Sequence, residues 1–217
     1  MNKKITFKYD LEKEFWNLHA GLNSINHPNE PLSKFAQEMK DGEIDFKNKK
    51  QVLEFIQNKI KKIDIQRQIS KIENGWQKVE ENAIQRMDKI YGWPFDFPNL
   101  TAYLTLNPRC AYNPDKNFFF VTMFSPHSKL IILHELMHFY AHKYIEPIFK
   151  KKHLSKEQFN DYKEALTVLL NFEFTDLLED DIDKGYKKQD EFRKFISKNW
   201  PKFGNIIDLT KYMVDIW

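Results

Sequence analysis

Cysteine is almost missing from this chain: Cys110 stands alone among 217 residues. One thiol cannot close an internal disulfide, and nothing in the composition argues for an oxidising compartment. A dominant charge is missing as well, since 34 basic residues face 31 acidic ones for a net charge of +3. Such a balance does not support a nucleic-acid or membrane partner. Apolar runs are short and punctuated by charge, which excludes a membrane span and leaves no stretch that reads as a signal peptide. Internal repeats and low-complexity linkers are absent too. These absences lead to the expectation of a cytoplasmic globular protein.

What the chain has is aromatic bulk. It carries 19 Phe, and aromatics make up 15% of its residues, so core volume need not come from Leu and Val. Residues 1–45 read as short helices or loops around Phe15, Trp16 and Leu18, interrupted by Pro28 and Pro31. Between 48 and 90, apolar residues recur at three- and four-residue steps (Val52, Ile56, Ile60, Ile63, Ile72, Trp76, Val79, Ala83, Met87, Ile90), the mark of amphipathic helix. Gly75 is a candidate divider of that stretch, and Gly92-Trp93-Pro94 ends it.

Texture then changes. Leu100–Leu106 and Phe118–Met123 are rich in aromatic and β-branched residues and read as two strands, joined as a hairpin through residues 107–117. Ser125 and Ser128 offer helix-start chemistry for a helix running to about Ile145 and halted at Pro147. Another helix is expected over 156–180, opened by Ser155 with Glu157 and Gln158 behind it. Shorter helices near 191–199 and 205–217 are separated by Pro201 and Gly204. The fold class is therefore α+β, predominantly helical with a small antiparallel or mixed sheet. Residues 1–95 form an N-terminal helical region and 96–217 a second region, together one compact unit.

Within the second region lies the segment His134-Glu135-Leu136-Met137-His138. Histidines four residues apart stack on one helix face, where two imidazoles can share one zinc ion. Glu135 is rotated by about 100° from His134, close enough to hold a water without ligating the ion. Zinc lowers the pKa of its water to about 7, and the carboxylate takes the proton as attack begins. The bland alternative is a buried helix whose histidines are satisfied by backbone or carboxylates. Two His and a Glu on so apolar a helix are costly to bury without a purpose.

Leu-His-Glu-Leu-Met-His on a helix just after a strand resembles the active-site helix of zincin metallopeptidases. The resemblance covers about residues 100–180 and implies a zincin-like fold, with the sheet packed on this helix and an edge strand along the substrate. Phe118–Met123 is the candidate for that strand. It also implies one Zn2+ per chain, a peptide or protein substrate, Glu135 as general base, and His134 and His138 as ligands.

A third ligand is required, with an open position beside it. The metzincin continuation is absent, because Tyr144 stands where the third histidine would be. His142 lies two turns from His134, about 12 Å along the axis when the whole ligand span is counted, so it reads as structural or as support for a ligand. The gluzincin branch takes a glutamate from a second helix, and Lys163-Glu164-Ala165-Leu166-Thr167 is similar to the run around that ligand in thermolysin-like enzymes. Glu173 is a rival, because a helical wheel places it among Leu166, Leu169, Leu170 and Leu177. The family pattern decides for Glu164, completing the expected ligand set His134, His138 and Glu164, while the wheel dissents for Glu173.

One departure from the thermolysin-like pattern is Val168, which stands where an aspartate would orient a ligand histidine. Asp161 is the candidate substitute. Tyr162, Tyr186 and His153 are candidates for stabilising an oxyanion. Cys110 reads as a packing thiol, Phe118–Phe120 as core, and Lys150–Lys152 as a solvated helix end. Two alternatives to a peptidase stand beside it. One is a regulatory or partner-binding protein on a zincin scaffold, cleaving one specific partner or none. The other is a helical interaction module with a structural metal or none.

Overall fold

The structure is a computed structural model that describes residues 4–22 and 34–216. Pro28, Pro31 and Trp217 lie outside the described residues. The chain divides into two compact units, Met1–Gln77 with Phe97–Ser128 and Lys78–Asp96 with Lys129–Trp217. The fold is α+β and mostly helical, with a small mixed sheet. Among the described residues, no helix is long and apolar enough to cross a membrane.

The first unit holds the sheet. Strand β1 (Ile5–Lys8) is followed by helices α1 (Leu11–Leu22), α2 (Lys34–Asp41), α3 (Lys49–Ile60) and α4 (Ile65–Gln77). Strands β2 (Leu100–Thr105), β3 (Tyr112–Asn113) and β4 (Phe118–Thr122) come next. The order across the sheet is β1-β2-β4-β3. β1 pairs in parallel with β2, Ile5 beside Leu100, and β2 in parallel with β4, Thr101 beside Phe118.

Two expectations are corrected here. β2 and β4 do not form a hairpin, because the hairpin is made by β3 and β4 in antiparallel register. Its turn spans Pro114–Asn117: Asn113 accepts from the Lys116 N–H, and Asn117 takes a left-handed φ of 49°. That short turn uses up the local reversal, and the longer link from β2 serves as the crossover that parallel strands need. β4 is consequently an interior strand, and the sheet edges are β1 and β3.

β1 lies where helices or loops were expected. Ile5 and Phe7 alternate with exposed neighbours, which is a strand period compressed into four residues. Gly75 sits inside α4, and the division expected there falls just after it, at Lys78–Val79, before a new helix begins at Glu80. A second break falls earlier, where Asp64 accepts from the Arg67 N–H at 3.0 Å and starts α4.

Aromatic packing fills the unit. Trp16 on α1 meets Phe118 edge-on and stacks on Phe120, while Tyr103 touches both. Phe118, Phe119 and Phe120 are all buried, so the triple Phe is core. A second cluster joins Leu18, Phe35, Ala36, Met39, Val52 and Ile56. Cys110 places its thiol 3.4 Å from the Thr122 hydroxyl and is a half-buried packing residue.

A carboxylate ties α1 to the end of β2. The Glu14 side chain is fully buried, accepts from the Thr105 hydroxyl at 2.8 Å, and accepts from the Leu106 N–H at 3.1 Å. Burial nonetheless raises its pKa from 4.5 to about 7.

The second unit is helical. It comprises α5 (Glu80–Tyr91), α6 (Ser128–Tyr140), α7 (Glu146–Lys151), α8 (Lys156–Leu166), α9 (Leu170–Glu173), α10 (Thr175–Leu178), α11 (Asp190–Phe203) and α12 (Ile206–Ile216). Gly92 closes α5 in a left-handed cap. α6 does not stop before Pro147. It widens into a π-helical turn over Ala141–Ile145 and resumes as α7, with Pro147 in the first turn where its missing N–H costs nothing. Ser155 and Gln158 form a reciprocal capping box at the start of α8. The helix expected over 156–180 is broken instead by a 3-10 turn at Thr167–Leu169 and again at Phe174. Pro201 lies inside α11, and Gly204 caps it.

Glu14 generates a prediction for stability against pH. The folded state keeps a proton that the unfolded state has released between pH 4.5 and about 7. Stability therefore falls as pH rises through that window, by on the order of 3 kcal/mol at completion. Urea unfolding at pH 5 and pH 8 should show that Glu14→Gln loses less stability between the two than wild type does. Equal losses in both proteins would mean that the buried carboxyl does not titrate there.

Candidate metal centre

α6 is buried around most of its circumference. Ile132, Leu133, Leu136, Met137, Phe139 and Tyr140 are all shielded from water, so its polar residues must find partners inside the protein. The Tyr91 hydroxyl donates to the Met137 carbonyl at 3.1 Å, shortly before the helix widens, and the Tyr140 hydroxyl donates to Asp88. α6 is thus anchored beside the face that bears His134 and His138.

On that face the two imidazoles lie edge to face, ring centres 4.5 Å apart. α8 delivers Glu164 against them. Its Oε2 lies 3.7 Å from His134 Nε2 and 3.4 Å from His138 Nε2. The three donor atoms lie within 4.8 Å of one another. Ligands at 2.0–2.1 Å around a tetrahedral zinc are about 3.3 Å apart, so both carboxylate–imidazole separations are near the edge of such a tetrahedron. His138 is 2% exposed, Glu164 14% and His134 20%, which leaves the opening on the His134 side.

The other Glu164 oxygen is taken. Lys163, itself buried, places Nζ 2.5 Å from Oε1. Glu164 therefore offers one oxygen to the histidines and one to an ammonium. Glu135, one residue from His134, is 5% exposed, and its buried Oε2 has no hydrogen-bond partner among the described residues. A buried carboxylate oxygen left bare in the helix turn that carries His134 is the feature that a bound cation and its water would satisfy.

Charges within the cluster are unequal. Burial lowers the pKa of His138 to about 3. Burial acts on His134 in the same direction, but hydrogen bonds to Asp183 and Glu164 outweigh it and raise its pKa to about 10. Burial raises Glu135 to about 7. Glu164 is held far below the usual carboxylate range, because His138, His134 and Lys163 together overcome its desolvation.

His134 has a partner that the sequence did not reveal. Its Nδ1 lies 2.9 Å from Asp183 Oδ2, which leaves Nε2 directed at Glu164. Asp183, carried on a loop beyond α10, thus fixes the orientation of the His134 imidazole, and Val168 takes no part in it. Asp161, the expected substitute, is engaged elsewhere: Gln189 donates to it at 2.9 Å and Lys188 lies 3.1 Å away.

Of the other candidates, Glu173, His142 and Tyr162 are engaged elsewhere. Glu173 accepts from the Trp200 indole N–H at 2.6 Å, and its carbonyl accepts from Arg86 at 2.8 Å. His142 pairs with Glu146 at 2.8 Å and packs on Phe159, which is a structural role. Tyr162 is buried with its hydroxyl 3.1 Å from that of Thr210, so it does not face an open coordination position. Tyr186 and His153 are exposed.

Compared with protein-family models, curated proteins and solved structures, the chain matches none.

The geometry predicts about one zinc per chain in protein purified without chelator. Metal content by mass spectrometry should fall to background in His138→Ala and in Glu164→Ala and stay unchanged in Glu173→Ala. Full zinc content in Glu164→Ala would remove that carboxylate from the ligand set.

Proposed function

We propose that this chain is a zinc-dependent metallopeptidase in which His134, His138 and Glu164 hold one Zn2+ and Glu135 is the general base. One observation carries the reading: two imidazole nitrogens and one carboxylate oxygen converge on a common point, with the bare Oε2 of Glu135 in the same helix turn. Two nitrogen ligands and one carboxylate, with an opening beside them, form a donor set of the catalytic kind, whereas structural zinc sites are closed by four protein ligands. When bound there, zinc supplies a Lewis acid and an acidified water.

The rest of the chemistry belongs to the side chains. Glu135 takes a proton from water as it attacks the carbonyl carbon of a peptide bond, and passes that proton to the amide nitrogen as the C–N bond breaks, so that a carboxylate and an amine leave. Asp183 holds the Nδ1–H of His134, so that Nε2 presents its lone pair inward. Lys163 holds one oxygen of Glu164, so that the other is presented alone. The substrate is a peptide or protein. Pairing of that substrate with β4 is not part of the proposal, since β4 is interior to the sheet. A cytoplasmic location belongs to the same reading and is supported by the single cysteine.

Glu135→Gln is the direct test. It should retain zinc at the wild-type ratio and lose peptide hydrolysis by at least about 100-fold, read with a quenched-fluorescent peptide library. Turnover preserved in this variant would remove Glu135 from its role. Wild-type protein that holds zinc but cleaves nothing in the library, nor any protein captured with it, would favour a binding protein on the same scaffold.

A further inference from the structure

Asp183 is held more completely than its contact with one imidazole requires. Its N–H donates to Asn171 Oδ1 at 2.8 Å, and its carbonyl accepts from Asn171 Nδ2 at 2.8 Å and from Arg193 at 2.7 Å. Oδ1 accepts from Arg193 at 2.8 Å and lies 2.9 Å from the Thr167 hydroxyl, while Oδ2 faces His134. Every polar atom of this residue is therefore engaged, and only one rotamer keeps all the bonds.

Arg193 is the centre of the arrangement. It is 8% exposed and comes from α11, an element that contributes no metal ligand. One guanidinium nitrogen bonds both the Asp183 carboxylate and the Thr167 hydroxyl, and the other bonds the Asp183 carbonyl. Thr167 in turn lies 2.7 Å from the carbonyl of Glu164, the proposed third ligand. The guanidinium thus spans the supports of two ligands on different helices.

This seat exists because position 185 is glycine. Gly185 has φ +60°, and a Cβ there would lie 2.4 Å from one guanidinium nitrogen, 2.6 Å from Cζ and 2.7 Å from Nε. A surface arginine would swing aside. This one is fixed by three hydrogen bonds, so yielding to a methyl group means breaking them.

We propose that Arg193, seated against Gly185, is a positioning residue for the metal centre: by locking Asp183 it fixes the direction of His134 Nε2 toward Glu164. The inference rests on the metal reading of His134, His138 and Glu164 and extends it to a device built on α11. It assigns Arg193 no contact with metal or substrate. Its effect is geometric, and it sets how tightly and in what geometry the site holds a divalent ion.

The test compares wild type, Gly185→Ala, Arg193→Met and Arg86→Met. Gly185→Ala retains every charged group; it intrudes on the seat and adds backbone strain at φ +60°, which the thermal-unfolding readout registers separately. Arg86→Met serves as control, because Arg86 makes a two-bond pair with Asp176 in the same unit, away from the cluster. Zinc affinity is read by competition with a chromogenic chelator, coordination geometry by the visible spectrum of the Co2+-loaded protein, and folding by thermal unfolding without metal. Gly185→Ala and Arg193→Met should bind zinc about 10–100-fold more weakly than wild type and shift the Co2+ bands. Arg86→Met should lose thermal stability but keep wild-type affinity and spectrum. If Arg193→Met does not fold, Gly185→Ala carries the test.

Wild-type affinity and an unchanged Co2+ spectrum in Gly185→Ala would overturn the positioning role and leave the metal site standing. An equal loss of affinity in Arg86→Met would also overturn it, since destabilisation alone would then suffice. Failure of the wild type itself to bind zinc or Co2+ would sink the metal reading, and the positioning role with it.

Discussion

Charge withdrawn from water in the helical unit has to be neutralised at once, and that constraint organises the unit. Lys163 with Glu164 and Arg193 with Asp183 are ion pairs largely shielded from solvent, and His134 is wedged between the two carboxylates. Replacing such pairs with apolar residues of similar size is often neutral or stabilising, whereas removing one partner costs about 3–5 kcal/mol. Their presence is therefore weak support for stability as a purpose. It is better explained by what they hold: two carboxylates placed so that the Nε2 atoms of His134 and His138 face one oxygen. Capping, the π turn and the broken helix after Leu166 all serve to bring α6, α8 and the loop carrying Asp183 into that arrangement.

How much of this was legible beforehand differs by residue. His134, Glu135 and His138 announce themselves because an i, i+4 pair on a helix is a local pattern. Glu164 was visible through its resemblance to a family run, but periodicity pointed to Glu173 instead. The wheel failed for a physical reason. It assumed a continuous α-helix from 156 to 180, while the 3-10 turn at Thr167–Leu169 advances each residue by about 120° instead of 100° and moves Glu173 out of phase. Asp183 and Arg193 could not have been found this way. Asp183 comes from an irregular segment far along the chain from His134, and its neighbours Asp180 and Asp181 are equally acidic. Position 185 offers the one retrospective signal, a glycine closely following an acidic run, and glycine in a loop has many causes.

The sheet was legible as composition but not as topology. Leu100–Thr105 and Phe118–Thr122 were marked by aromatic and β-branched residues, and both are strands. Their parallel relation depends on β3, two residues that carry no periodic signal, and on β1, whose Ile5 and Phe7 complete a strand too short to stand out from its surroundings. Pairing is a long-range property. The Pro-Asp-Lys-Asn turn between β3 and β4 is a local reversal, but nothing in its residues says which strands it joins.

The proposed function stands or falls with two imidazoles and one carboxylate binding a single zinc ion. X-ray absorption at the zinc edge, on protein loaded with one equivalent of zinc, tests it most directly. The account predicts a shell of nitrogen and oxygen only, at about 2.0–2.1 Å, with the outer-shell scattering of two imidazole rings. A sulfur scatterer at about 2.3 Å would mean that Cys110 has captured the metal. Scattering from fewer than two imidazoles would equally contradict the site built from His134 and His138.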